Sequence, residues 1–284
     1  MGAPTLFLVA TPIGNLEDIT LRALRVLREV SLIAAEDTRR TAKLLSHYDI
    51  HTPTTSFYEH VEREKTPQLL ERLSGGESIA LVSDAGTPGI SDPGYRLTTA
   101  AVAAGVRVEA IPGASSVLTA LVSSGLPSSA FCFVGFPPAK AQARDRWLAA
   151  LGSHVETLVL FEAPHRIRET LEAILSVLGD RPIMLGRELT KVHEELVRGP
   201  VSAVLARLPL PRGEFTIVLG GTPERPLAIE PLPSPKGLLA LFGQMTEGKG
   251  LSRREAISKL AKRHGMTSRE IYGAIERAKK SEVS

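Results

Sequence analysis

Carboxylates placed just after short apolar runs are the first residues of this chain that could do chemistry. Glu36 and Asp37 follow the run 31–35, and Asp84 follows the run 79–82. A carboxylate in that position can accept a proton from a weak nucleophile or bind a ligand hydroxyl or amine. Each also has a structural reading: Asp37 can cap a following helix, and Asp84 can close an Asx turn on its own loop. Glycine and proline punctuate three such loops, Thr11-Pro12-Ile13-Gly14-Asn15-Leu16, Ser83-Asp84-Ala85-Gly86-Thr87-Pro88 and Pro112-Gly113-Ala114-Ser115-Ser116. Gly86 and Gly113 let backbone approach a ligand closely, and the prolines preset φ. Three such loops at strand ends describe the ligand crevice of an open α/β sheet, so a small-molecule-binding enzyme leads the readings.

Several other chemistries lack their residues. No Gly-x-x-x-x-Gly-Lys-Ser/Thr phosphate loop is present, and no Gly-x-Gly-x-x-Gly follows the first apolar run. The seven histidines have no metal-ligand spacing. Cys132 is the single cysteine and lies in the apolar run 131–134, where a buried thiol is expected. The apolar run 6–10 is too short for a signal peptide or a membrane span, so a cytoplasmic protein is expected.

The elements that must carry these loops read as strands alternating with helices. Strands are expected over 6–10, 31–35, 54–58, 79–82 and 106–111, with helices over 20–30, 39–47, 66–73 and 94–104. That alternation predicts a mainly parallel sheet covered on both faces. A second unit begins near Gly125-Leu126-Pro127, with strands over 131–134, 157–161, 182–185 and 215–219. Residues 203–205 read as a strand or a helix end, and 166–178 as an amphipathic helix. The expected domains are 1–123, 124–221, a linker over 222–235 and a helical module over 236–284. The stretch 220–235 holds five prolines. Beyond it come three short helical patterns, the last two over 252–264 and 267–279, each opening with a capping-box pair, Ser252/Glu255 and Thr267/Glu270.

Of 284 residues, 43% are hydrophobic and 23% charged, as in globular domains. The charge is unevenly placed. From Lys236 onward 11 Lys/Arg face 5 Asp/Glu, leaving 23 against 26 for the rest. The basic end is either a solvated helical surface or a face for an anionic partner, nucleic acid first.

A set of blocks in this chain resembles the ribosomal RNA small subunit methyltransferase I family, a branch of the tetrapyrrole methylase-like superfamily. They are the run 8–20 containing Thr-Pro-Ile-Gly-Asn-Leu, Ala34-Ala35-Glu36-Asp37-Thr38-Arg39, the 82–88 loop, Ser91-Asp92-Pro93-Gly94, Phe161-Glu162-Ala163-Pro164-His165-Arg166 and Gly186-Arg187-Glu188-Leu189-Thr190-Lys191. The resemblance spans roughly residues 6–220. One departure stands at 60–62, where family members often carry His-Asn-Glu and this chain has His60-Val61-Glu62.

The resemblance implies a two-domain class III methyltransferase fold with a small helical C-terminal module. It implies S-adenosyl-L-methionine as cofactor, no metal, a homodimer, and the ribose 2′-hydroxyl of a decoding-region cytidine of 16S rRNA in the 30S subunit as target. No membrane or DNA partner is expected. The cofactor would lie against Pro12, Asp84, Ala85, Gly86, Pro88, Gly113 and Ser115, with Phe133 and Phe215 completing the pocket. Glu36, Asp37 and Glu188 are the candidates for a catalytic base, from a wider set that includes His60, Glu62, Glu162 and Glu194. Arg39, Arg40, Arg166, Arg187 and Lys191 would hold RNA phosphates, since guanidinium suits phosphate. Tyr58 could stack on a base, and His60 and His165 could touch the substrate. Competing readings are a local ion pair at Arg187-Glu188, a helix start at His165 and a core ring at Tyr58. Two other functions stay open: methylation of corrin or porphyrin precursors, and RNA binding without catalysis on the same scaffold.

Overall fold

The structure, a computed structural model, describes residues 3–208, 210–222, 231–248 and 250–282. They fall into two compact units, 1–221 and 222–284. The expected linker falls largely on residues 223–230, outside the described residues.

The first unit is built on two five-stranded sheets. One contains β1 (Thr5–Val9), β2 (Leu32–Ala35), β3 (Thr54–Ser56), β4 (Ile79–Val82) and β5 (Arg107–Ile111) in the order β3-β2-β4-β1-β5, all parallel. Alternate side chains on these strands enter two different cores. Val9, Ile33, Ala35, Ala80 and Val82 pack with Leu24 and Leu27 of α1 (Leu21–Glu29) and Leu45 of α2 (Thr38–His47). Leu6, Leu32, Ala34, Ile79 and Leu81 pack with Leu69 and Leu73 of α3 (Glu59–Ser74) and Leu97 of α4 (Tyr95–Ala103). A strand buried on both faces is therefore apolar without alternation, as the runs 79–82 and 32–35 are.

Helix α3 begins seven residues before the expected start at 66 and holds Pro67 in its interior. Pro67 reads as a helix start because its missing N–H costs least in the first turn. Tertiary contacts carry the helix further back. The buried Glu62 carboxylate accepts the N–H groups of Gly94 (3.1 Å) and Arg96 (3.0 Å) at the start of α4, and Lys65 Nζ donates to Ser56 O at 2.7 Å.

The first sheet is parallel as expected, and the second is mixed. The second comprises β6 (Phe131–Phe133), β7 (Thr157–Glu162), β8 (Pro182–Arg187), β9 (Glu195–Pro200) and β10 (Phe215–Leu219), in the order β6-β7-β10-β8-β9. Only β6 and β7 pair in parallel; β10 runs antiparallel to both neighbours, and β8 and β9 form a hairpin. The seven residues between β8 and β9 are too few for the crossover that a parallel partner needs. Strand β9 lies at the sheet edge and has no apolar run to mark it in the sequence. Residues 203–205 lie inside α8 (Val201–Ala206).

One face of this sheet packs on α6 (Ala141–Leu151), α7 (Ile167–Leu178) and α8 through Leu148, Leu171 and Val204. The other face joins the two halves of the unit. Val159, Met184 and Val218 pack there with Val117 and Leu121 of α5 (Ser116–Ser124), and with Ile13 from the loop after β1.

The second unit consists of α9 (Pro235–Gly243), a π-helical turn (Gln244–Gly248), α10 (Arg253–His264) and α11 (Ser268–Glu282). Leu238, Leu260, Ile271 and Ile275 form its core. Both capping boxes form: Ser252 Oγ accepts the Glu255 N–H at 3.3 Å while Glu255 accepts the Ser252 N–H at 2.9 Å, and Thr267 and Glu270 repeat the pattern. No helix among the described residues is long and apolar enough to cross a membrane.

Candidate active site

The loops at the carboxyl ends of β1, β4 and β5 meet over the first sheet. Thr11 and Gly86 exchange both backbone hydrogen bonds, N–H to O, at 2.9 and 3.0 Å, locking two of the loops together. Gly86 takes φ +81°, a conformation that costs an L-residue about 1–2 kcal/mol. Gly113 serves a different need: a Cβ there would lie 2.9 Å from the Ala10 Cβ, so glycine lets the β5 loop lie against β1. Ser115 caps α5 by accepting the Leu118 N–H.

Above these loops opens a cavity of about 510 Å³ whose opposite wall comes from the second sheet. Asp84, Ala85, Gly86 and Ser115 line it from below, and Phe133 and Phe215 from above, joined by Phe161 and Thr216. Pro12, Pro88 and Gly113 shape the loops without lining the cavity.

Glu36, Asp84 and Asp92 make an acidic corner in this cavity. Two hydrogen bonds splice the β2 and β4 loops: Glu36 Oε2 accepts the Asp84 N–H at 3.1 Å, and Asp84 Oδ1 accepts the Asp37 N–H at 3.0 Å. Asp84 Oδ2 pairs with Arg40 Nη1 at 3.1 Å. Burial raises the Glu36 carboxyl above its ordinary value; the Asp84 charge adds to this, while the Asp84 amide and Arg40 oppose it. Asp92 is pushed up to about 6, first by burial, against a hydrogen bond from Ser83, and then by the charges of Glu36 and Asp84. An acid held near neutrality beside two carboxylates is the arrangement a general base needs. Asp92 lies in the Ser-Asp-Pro-Gly block 91–94, where the sequence by itself gives it no role. Its signal was an acidic residue in the Ser-Asp-Pro-Gly turn 91–94, one of many such turns on its face.

The other candidates are mostly engaged elsewhere. Asp37 caps α2 through the Arg39 N–H (2.9 Å), and the Arg39 guanidinium holds its carboxyl down at about 2. It does not line the cavity. Glu188 also stays outside: its Oε1 accepts Lys191 Nζ (2.9 Å) and the Glu214 N–H (3.0 Å), tying two loops together. Burial raises that carboxyl, but Lys191 and the Glu214 amide outweigh it and the net direction is down.

The expected phosphate-binding cations divide in the same way. Arg166 pairs at 2.5 Å with the fully buried Glu162, whose other oxygen takes the Thr170 hydroxyl. Arg187 pairs with Glu195 at 2.8 Å, and Lys191 with Glu188 and Glu214. Arg39 and Arg40 bear ion pairs yet stay exposed, and Arg40 lines the cavity. Tyr58, at the N-cap of α3, His60 and His165 are exposed and outside the lining.

The cavity suits a cationic adenosine derivative. Its acidic corner complements a sulfonium and an ammonium, Phe133 and Phe215 can hold an adenine, and the α5 N-terminus with Ser115 and Ser116 offers donors to a carboxylate. Among the described residues no cluster of three or more His, Cys, Asp or Glu could hold a metal.

The chain is similar to known methyltransferases. The family model described as Tetrapyrrole (Corrin/Porphyrin) Methylases matches residues 5–205. A "Ribosomal RNA small subunit methyltransferase I" from Halalkalibacterium halodurans is 42% identical over 277 residues, covering 94% of this chain and 93% of that protein. The protein of the same name from Synechocystis sp. is 44% identical, covering 94% of this chain and 95% of its own. In fold, the crystal structure of uroporphyrin-III-C-methyltransferase from Thermus thermophilus superposes with a TM-score of 0.54 at 24% identity, over 76% of this chain and 94% of that one.

Proposed function

The chain belongs to the ribosomal RNA small subunit methyltransferase I family, and from that premise we propose that it methylates the ribose 2′-hydroxyl of a decoding-region cytidine in 16S rRNA. It is an S-adenosylmethionine-dependent methyltransferase. The observation that carries the RNA reading is the identity of 42–44% along 94% of the chain to relatives of that name. The substrate is the 30S subunit, the enzyme a cytoplasmic homodimer. DNA lacks the 2′-hydroxyl and is no substrate.

When bound, the cofactor supplies an activated methyl group. The protein then has to align the hydroxyl and take its proton. A ribose hydroxyl is a poor nucleophile at neutral pH, so proton removal must accompany carbon–oxygen bond formation. Asp92 serves as that base, since its poise near 6 leaves it largely ionised at pH 7 yet ready to hold a proton. Glu36 and Asp84 keep it poised, and Arg40 holds Asp84 in place. Arg39 and Arg40 position the flanking phosphates, and the basic residues of 236–284 add contacts to RNA.

The cleft argues against corrin and porphyrin precursors. Arg40 is the one basic residue among its described lining and already pairs with Asp84, while Glu36 and Asp92 add to the acidic corner. A macrocycle carrying many carboxylates would meet repulsion there, whereas a single neutral nucleoside, with its phosphates outside, would not.

The test is methyl transfer from labelled S-adenosylmethionine to 30S subunits lacking the modification, with nuclease digestion and mass mapping. A 2′-O-methylated cytidine in the decoding region is expected. Cofactor binding without rRNA labelling would overturn the reading.

A further inference from the structure

Two large apolar side chains in the cavity lining are left half exposed. Phe136 keeps 51% and Ile90 48% of their surfaces open. They come from opposite halves of the first unit, Ile90 from the loop after β4 and Phe136 from the loop after β6. Gly135 turns the chain between β6 and Phe136 with φ +69°, and a Cβ on it would stand 3.9 Å from Ser91 Oγ. The two loops are thus neighbours across the opening of the cleft. The Phe136 ring is held from behind by Phe161, at 5.5 Å between centroids and tilted by 59°, and Phe161 is held in turn by Phe133 at 4.8 Å. Phe136 is therefore a positioned ring with open surface. Ser91 and Asp92 follow Ile90 directly.

We propose that Phe136 and Ile90 form a slot for the base of the target nucleotide, which leaves the RNA stack to bring its ribose to Asp92. The inference rests on the RNA reading above. A nucleobase is flat and apolar on both faces, and unstacked bases in RNA are commonly held on aromatic rings. A base still paired in a helix cannot present both faces to such a slot, so the target base is held out of its stack. Stacking from this slot tolerates any base. Its contribution is to fix the ribose, so Phe136 is a positioning residue.

The experiment compares Phe136→Ala, Phe136→Leu and Phe136→Tyr in the full-length protein, using labelled S-adenosylmethionine and unmodified 30S subunits. Cofactor Kd is measured separately by calorimetry, which also reports that each variant is folded. Stacking of about 1–3 kcal/mol per base converts to a loss of roughly 5- to 150-fold in kcat/KM for 30S in Phe136→Ala. The cofactor Kd should stay within about twofold. Tyrosine should restore most of the loss and leucine should not, because stacking needs a flat ring. Ile90→Ala should show the same selective loss at smaller size. The proposal is overturned if Phe136→Ala weakens cofactor binding in parallel, which would assign the ring to adenine, if leucine restores activity as well as tyrosine, or if kcat/KM does not change. Wild-type protein that binds cofactor but leaves rRNA unlabelled would instead refute the RNA reading itself.

Discussion

Replacing Asp92 by asparagine should make the protein more stable at neutral pH while removing its activity. In the folded state the Asp92 carboxyl titrates at about 6, against an ordinary 3.8. Between those values the folded chain binds more protons than the unfolded one, so stability falls as pH rises through that window and levels off above it. At about 1.4 kcal/mol per pKa unit, the span is worth a ceiling of about 3 kcal/mol, which solvent reaching this half-buried group reduces. Asparagine keeps the size and can accept from Ser83, but it carries no charge against Glu36 and Asp84. Urea unfolding at pH 4, 6 and 8 reads the difference, because every other titrating group is common to both proteins. The variant's advantage should be smallest at pH 4 and reach about 1–3 kcal/mol at pH 8. A difference that does not grow with pH would refute the assigned cause. In the same variant, loss of the base should lower kcat by about 10²- to 10⁴-fold, beyond any weakening of cofactor binding from the lost charge. Wild-type kcat/KM for cofactor should bend at about 6 and fall below it, since the base must be ionised.

Other substitutions separate structural from functional roles. Arg166→Ala leaves the fully buried Glu162 without its cation and should cost about 3–5 kcal/mol in urea unfolding, with Glu162→Gln in the same chain recovering part of it; RNA affinity per folded molecule should not change. Gly113→Ala forces a Cβ to within 2.9 Å of Ala10 and should cost about 1–3 kcal/mol by overpacking. Calorimetry should show weaker cofactor binding as the β5 loop shifts. Removing residues 236–284 should weaken binding to 30S subunits and flatten its salt dependence while sparing cofactor affinity. Unchanged RNA affinity in that truncation would mark the basic helices as a solvated surface.

Much of this protein follows from local sequence. The apolar runs that became β1, β2 and β4 are buried on both faces, so their composition alone marks them. Ser252, Glu255, Thr267 and Glu270 set two helix starts because a capping box is made within four residues. Gly86 and Gly113 announced closely packed loops, since backbone freedom and lack of a Cβ are properties of the residue itself. What tertiary structure decided was which polar groups meet. Arg166, Arg187 and Lys191 read as phosphate ligands, and each finds a carboxylate within the fold. The Glu162 partner of Arg166 stands only four residues away, yet its burial depends on the whole second sheet. Asp92 has an ordinary turn around it in sequence; its poise comes from desolvation and from Glu36 and Asp84, brought to it by the packing of β2 beside β4. The antiparallel pairing of the second sheet was hidden for a similar reason, because strand direction is set by which partner an edge meets and by how much chain joins them. Electrostatic fields and pairings of distant segments are properties of assembled neighbours, and no single stretch of residues carries them.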